Sequence, residues 1–164
     1  LVRLGAVDKG DKLLTEVIFY DADGAWHVER RFVRLRTVGD DTTLTYKSNK
    51  EQTIDSAREI EFTVPDADLA EQFLENVGLV AARHQEKSRH TFELNGITID
   101  IDTWPQVPAY VELEGPSEEN IKAVARLLGF AWEDAVFDDA RAVIESRYDI
   151  PVGTMRWFTF DRFE

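Results

Sequence analysis

The amino-acid sequence predicts an α+β fold: antiparallel strands closed into a barrel with a polar interior, and helices covering its apolar outside. Three observations carry that expectation. Sequence landmarks recur 73 residues apart. Six strand-like segments put charged or polar pairs on one face, opposed by apolar residues in five of them. Helical segments with capping residues and glycine stops separate the strands.

The repeat aligns LVRLGAV (1–7) with LENVGLV (74–80), and VIFYDADG (17–24) with HTFELNG (90–96). Gly5 then matches Gly78, and Phe19 matches Phe92. Each copy reads as a helix end, a glycine cap, a strand and a tight hairpin at Asp-Gly or Asn-Gly. Strands are expected at 14–20, 26–37, 42–48, 58–64, 88–94, 97–103 and 109–114. PDADLAEQFLENVG (65–78) predicts a helix capped by Asp68, with Glu71 three residues on and Gly78 as its stop. SEENIKAVARLLGF (117–130) predicts a second, capped by Ser117 and ended by Gly129. Residues 138–148 predict a third, and the aromatic tail 154–164 a final strand. Leu1 falls at a helix end, so the repeat implies a strand and most of a helix upstream of it, equivalent to REIEFTV (58–64) and the segment that follows.

The polar faces follow from strand parity. Arg34 and Arg36 share a face opposite Val33 and Leu35. Thr45 and Lys47 oppose Leu44 and Tyr46; Glu59 and Glu61 oppose Ile60 and Phe62. Lys87 and Arg89 lie two apart. Asp100 and Asp102 oppose Ile99 and Ile101. In AYVELEG (109–115), Tyr110, Glu112 and Glu114 share one face and Ala109, Val111 and Leu113 the other, with the two carboxylates about 7 Å apart. A sheet with one solvated face shows the same alternation. Here acids and bases are sorted by strand, and the pairs recur in six segments, which favours a polar lumen able to enclose a ligand. Carboxylates there suit a hard divalent cation, and arginine and lysine suit phosphates.

Composition limits the partners. The 164 residues suit one domain with a sizeable core, and 31 % charged with 43 % hydrophobic residues is a globular balance. The net charge of −13 excludes non-specific nucleic-acid binding over a broad basic surface, yet allows a small anion in a local basic pocket. No apolar run has the length of a membrane span and no secretory signal is visible, so neither a membrane nor nucleic acid is an expected partner. The absence of cysteine excludes disulfides and thiolate metal ligands and makes a cytoplasmic location the default expectation.

RLR (34–36), TYK (45–47), REIE (58–61), KSR (87–89), ITID (97–100) and VELE (111–114) resemble, in type and order, the motifs of the CYTH superfamily. These are the triphosphate tunnel metalloenzymes, among them class IV adenylyl cyclases and thiamine or inorganic triphosphatases. Each motif is common alone; six in this order, from the first strand to the helix at 117–128, carry the resemblance. It implies a wide eight-stranded antiparallel barrel, a tunnel built from a duplicated βαβββ unit, as a single domain over residues 1–164. It also implies an enzyme that depends on Mg²⁺ or Mn²⁺ and acts on the triphosphate group of ATP or inorganic tripolyphosphate. The reaction would be phosphohydrolysis, or cyclisation to cAMP and pyrophosphate.

By the same resemblance, Glu112 and Glu114 are the metal-binding pair, and Arg34, Arg36, Lys47, Lys87 and Arg89 bind phosphate. Glu59, Glu61 and Asp100 are lumen carboxylates that hold a second metal or orient a nucleophile, and Asp102 shares their parity. The family's ExExK strand, whose glutamates share the metal, is not in the sequence; the repeat places such a strand upstream of Leu1. An incomplete metal site would instead give a non-catalytic polyphosphate- or nucleotide-binding module, and inward charges paired only with each other would give a structural domain.

Other candidates read as structure. His27, His84 and His90 lack metal-ligand spacing and read as surface or core residues. DADG (21–24) resembles the start of a calcium loop without its downstream glutamate and reads as a hairpin turn. Trp104 could stack on a base or line the tunnel mouth, but reads first as packing the loop beside Pro105 and Pro108. Trp157, Phe158 and Phe160 could equally cap the core, join a homodimer or touch a ligand. The acidic stretch at 133–139 reads as a solvated helix start.

Overall fold

The computed structural model describes residues 1–48 and 58–164. Among them are eight strands and four helices: β1 (Val7–Asp21), α1 (Ala25–Val28), β2 (Arg31–Val38), β3 (Asp41–Ser48), β4 (Arg58–Val64), α2 (Ala67–Asn76), β5 (Leu79–Leu94), β6 (Ile97–Thr103), β7 (Tyr110–Glu114), α3 (Glu118–Leu127), α4 (Ala140–Tyr148) and β8 (Trp157–Phe158). The strands form one sheet in the order β4-β3-β2-β1-β5-β6-β7, with β8 added parallel to β5. The ladders within β1–β4 and within β5–β7 are antiparallel. The order ends at β4 and β7, and among the described residues no hydrogen-bonded ladder joins those two ends. None of the described helices is long and apolar enough to cross a membrane.

The chain divides into two compact units. The β2–β4 unit comprises Leu13–Glu86 and Met155–Glu164; the β6–β7 unit comprises Leu1–Lys12 and Lys87–Thr154. In the β2–β4 unit, Phe19, Val33, Leu35 and Ala81 on the sheet bury against Leu74 of α2. In the β6–β7 unit, Phe92, Leu94, Ile97 and Ile99 bury against Val124 of α3, with Ile121 and Leu128 beside them. Each fully buried aliphatic or aromatic side chain contributes about 1.5–3 kcal/mol. That gain holds the apolar faces down and leaves the other sheet face to charged residues.

The repeat is visible in the backbone. Gly5 and Gly78 both take positive φ, +86° and +94°, just before β1 and β5. Phe19 and Phe92 occupy equivalent places in the two cores. Asn95 and Gly96, both at positive φ, connect Leu94 to its partner Ile97, the two-residue hairpin that this dipeptide favours.

Several expectations are corrected. A continuous strand over 26–37 does not form. The Asp21 carboxylate accepts from the backbone N–H groups of Ala25 and Trp26, which winds residues 25–28 into one helical turn and delays β2 to Arg31. The segment 21–24 is therefore the start of a capped turn rather than a tight hairpin. The cap of α2 is Asp66, which accepts from Leu69 N–H, rather than Asp68. Ser117 caps α3 as expected, accepting from Asn120 N–H. The third helix starts at Ala140, capped by Asp139, while residues 132–134 form a separate short turn. β1 and β5 run well beyond 14–20 and 88–94, because both strands pass through the two units. On β4, Ile60 and Phe62 face the apolar side yet are 45 % and 54 % exposed, so that strand adds little to the core. The aromatic tail does supply a strand, β8, beside His84 and Gln85 of β5.

Candidate functional site

In the β2–β4 unit the charged face gathers around Glu16. Pairing sets Glu16 beside Arg36 and Arg34 beside Thr45, while Val17, Val33 and Leu35 turn to the core side. Glu16 is 4 % exposed. Its Oε1 accepts from Arg36 Nε at 2.6 Å and Nη2 at 2.5 Å, and its Oε2 accepts from the Gln85 amide. Gln85 in turn accepts from Arg83 Nε at 2.7 Å. Arg34 is less well served. Its Nη2 lies 3.5 Å from Thr45 Oγ1 and 3.7 Å from Glu61, its Nε lies 3.9 Å from Glu16, and that Nε is buried without a hydrogen bond. Burial and the neighbouring Arg36 charge pull the Arg34 pKa below its ordinary value despite the nearby carboxylates. Glu61 accepts from Thr45 Oγ1 at 2.6 Å, and Lys47 pairs with Glu59 at 3.0 Å nearer solvent.

In the β6–β7 unit the charged face gathers around Arg89. Its Nη1 meets Asp100 at 2.6 Å, its Nε and Nη2 grip Asp102 at 2.6 and 2.7 Å, and Nη2 also reaches Glu112 at 2.6 Å. Asp102, wholly buried, takes a second cation in Lys87 at 2.5 Å. Burial alone would raise the Asp102 pKa; hydrogen bonds from Arg89 and the Lys87 charge outweigh it and hold the pKa below the ordinary value. Burial likewise opposes the charge on Arg89, but Asp102, Asp100 and Glu112 raise its pKa overall. Thr91 donates to Asp100 at 2.6 Å. Trp104 Nε1 donates to the Tyr110 hydroxyl, which donates to Glu112 at 3.2 Å. Burial, then the Glu112 charge, raises the Tyr110 pKa, so the phenol stays a donor. Trp104 is buried, with Lys87 Nζ 5.2 Å from its ring.

The sequence-assigned residues thus gather as two clusters: Arg34, Arg36, Glu61 and the Lys47–Glu59 pair in one unit, and Lys87, Arg89, Asp100, Asp102 and Glu112 in the other. Glu114 shares the parity of Glu112 but is exposed, with no ion pair among the described residues. Sequence reasoning missed Glu16, Arg83 and Gln85. Their parity was the available signal, since Arg83 and Gln85 continue the alternation of Lys87 and Arg89. The histidines stay outside both clusters: His27 lies edge-on to Tyr20, His84 stacks on Trp157, and His90 stacks on Phe92.

A cavity of about 320 Å³ in the β2–β4 unit has Glu16, Asp68, Glu71, His84, Gln85 and Glu86 in its wall. Its charge has the wrong sign for phosphate. The donor chemistry of Asp100, Asp102 and Glu112 suits a hard cation, since every ligand atom is a carboxylate oxygen. Arg89 already holds all three, and no group of three carboxylates or histidines among the described residues is arranged around a vacant centre.

The CYTH domain matches residues 2–133, and the chain belongs to that family. The chain is similar to a candidate adenylate cyclase from Vibrio parahaemolyticus (TM-score 0.73, 12 % identity, 88 % of this chain and 89 % of that one). It is also similar to a Pyrococcus horikoshii protein (TM-score 0.68, 23 % identity, 81 % and 82 %). A Hippeastrum protein described as a candidate adenylyl cyclase with a dominant triphosphatase activity aligns as well (TM-score 0.62, 16 % identity, 85 % and 84 %). At these identities the likeness speaks for the fold alone. No curated protein sequence matches the chain.

Proposed function

We propose that this protein is an enzyme acting on a triphosphate group, ATP or inorganic tripolyphosphate, with a divalent cation as cofactor. The observation that carries the reading is Arg34. It is a largely buried guanidinium beside a second one, Arg36, and its nearest carboxylates among the described residues stand beyond hydrogen-bond reach at 3.7 and 3.9 Å. A buried cation left so poorly compensated is costly unless an anion completes it. Membership of the CYTH family supports the same reading.

In this proposal Arg34, Arg36, Lys47, Lys87 and Arg89 bind phosphate oxygens, the arginines by their forks. Glu112 and Glu114 would hold Mg²⁺ or Mn²⁺. The cation would supply charge neutralisation at the phosphates. Glu59, Glu61 and Asp100 orient the attacking oxygen and accept its proton. In phosphohydrolysis water attacks the terminal phosphorus and the P–O bond to the diphosphate breaks. In cyclisation the ribose 3′-oxygen attacks the α-phosphorus and pyrophosphate leaves. Positioning and charge stabilisation provide most of the acceleration in either case.

A second reading, a polyphosphate-binding module without turnover, is favoured by one observation: Arg89 occupies all three carboxylates of its cluster. Phosphate, pyrophosphate and cAMP release from ATP and tripolyphosphate, with and without Mg²⁺ or Mn²⁺, separates the readings. Turnover only with the cation, lost in Glu112→Gln, is the expected result. Binding without turnover selects the module, and no binding at all removes both.

A further inference from the structure

Glu16 is an acid at the centre of a basic face, and nothing in the proposed chemistry uses it. Its carboxylate oxygen Oε1 takes both the Nε and Nη2 donors of Arg36, and Oε2 takes the Gln85 amide that is itself held by Arg83. These are donors that also suit a phosphate, because a guanidinium fork matches the oxygens of either anion. Arg34 Nε lies 3.9 Å from the same carboxylate and makes no hydrogen bond among the described residues.

We propose that Glu16 is a built-in counter-anion that competes with the ligand for Arg36 and thereby sets how many phosphates a ligand needs. This rests on the reading that the charged face of the β2–β4 unit binds a triphosphate. Glu16 is tethered on β1, so it competes at a high effective concentration. A single phosphate that displaces it regains one fork and lies beside a displaced negative charge. A triphosphate repays the displacement by engaging Arg34 and further bases at once. Glu16 also neutralises the buried arginines when no ligand is bound, which keeps the face folded.

The test is calorimetry with orthophosphate and with tripolyphosphate, in the absence of metal, on the wild type and Glu16→Gln. The expected result is that Glu16→Gln binds tripolyphosphate at least about tenfold more tightly and gains measurable orthophosphate binding. A role confined to holding Arg36 in place gives the opposite sign, because losing the carboxylate then misplaces the fork and weakens binding. The melting temperature adds a second readout: Glu16→Gln is less stable than the wild type alone and gains more from added tripolyphosphate. If Glu16→Gln fails to fold, Gln85→Met loosens the carboxylate without removing it and is expected to tighten tripolyphosphate binding by about two- to fivefold. Wild-type binding with unchanged or weaker affinity in the variant that folds overturns the inference and leaves the functional reading standing. Tripolyphosphate bound by neither wild type nor variant overturns the functional reading, and the inference with it.

Discussion

The polar faces of the two units are built on the same register with opposite signs. In the β2–β4 unit, Glu16 pairs across to Arg36 and then Thr43, while the neighbouring row runs Ile18, Arg34, Thr45. In the β6–β7 unit, Arg89 pairs across to Asp102 and then Tyr110, and the neighbouring row runs Thr91, Asp100, Glu112. One unit has an acid among bases where the other has a base among acids. Folding requires only that these positions be polar, since their parity keeps the apolar residues in the core. The sign of the charge is free, and the repeat centres one face on an acid, Glu16, and the other on a base, Arg89. The compensation also differs. Arg89 is fully occupied by three carboxylates, whereas Arg34 is not.

Removing the hub of the compensated unit breaks this contrast hardest. Arg89→Met leaves Asp100, Asp102 and Glu112 without their common partner, and Lys87 can answer for only Asp102. The expected loss is about 3–5 kcal/mol in urea unfolding, the usual cost of breaking a buried pair from one side. Arg34→Met, with only long contacts to lose, is expected to cost under about 1 kcal/mol. Equal losses would mean that the two faces are equally compensated. Asp102 adds an acid limb. Its folded pKa lies below the ordinary 3.8, so its contribution is present above that value and lost as pH falls through the folded pKa. Asp102→Asn should therefore flatten the acid side of the stability profile.

Ligand binding should reverse the order of the two arginines' importance. Arg34→Met and Arg36→Ala are each expected to weaken tripolyphosphate binding at least about tenfold, because each removes a charge-assisted contact worth roughly 1.5–3 kcal/mol. Arg3→Ala, in the short turn before β1, is the control and should change little. Titration of tripolyphosphate, ATP and AMP at two salt concentrations checks this. Equal affinity for AMP and ATP, or an Arg3 effect matching that of Arg34, would remove the anion-binding assignment from this face.

These contrasts were partly legible in the sequence. Period-two alternation exposed Arg34, Arg36, Asp100, Asp102 and Glu112 as residues of polar faces, because parity survives any twist of the sheet. The 73-residue spacing located both glycines and both core phenylalanines. Partners across strands were not legible, since register is set by turn geometry, and Glu16 therefore went unnoticed although its parity was plain. The helical turn at 25–28 was missed for a local reason: the Asp21 side chain caps backbone that the alternation alone reads as strand. Glu112 and Glu114 look equivalent in the sequence, and only the position of Arg89 separates them.

That separation gives a smaller prediction. Glu112→Gln loses an ion pair with Arg89 and keeps the Tyr110 contact, so a cost of about 1 kcal/mol is expected from a part-exposed pair. Glu114→Gln, exposed and without an ion pair among the described residues, should stay within about 0.5 kcal/mol. Matching losses in unfolding experiments would place Glu114 in the cluster beside Glu112. If Glu114 nevertheless serves the cation, Glu114→Gln should lower turnover while leaving stability unchanged.

The smallest effect lies on the outer edge of the β6–β7 unit, where the repeat pairs His90 with Val17 of the other unit. His90 Nε2 lies 2.7 Å from Asp8 and Nδ1 lies 3.0 Å from Asp11. A neutral imidazole can donate from only one nitrogen, so two carboxylates together require the imidazolium. The hydrogen bond to Asp8, foremost, and the Asp11 charge raise the His90 pKa above its ordinary 6.5. With the folded value raised, the stabilisation is complete below 6.5 and is lost as pH rises through the folded pKa. The site is exposed, so the change in melting temperature should be small and screened by salt. Following the His90 ring proton by NMR should give a midpoint above 6.5 that falls toward it in Asp8→Asn. Protection of the amides at residues 7–12 from hydrogen exchange, corrected for the intrinsic pH dependence, should fall over the same pH range, while that of strand 14–20, with valine at the matching place, stays unchanged. A midpoint at or below 6.5 in the wild type would show that the two carboxylates do not hold the ring in solution.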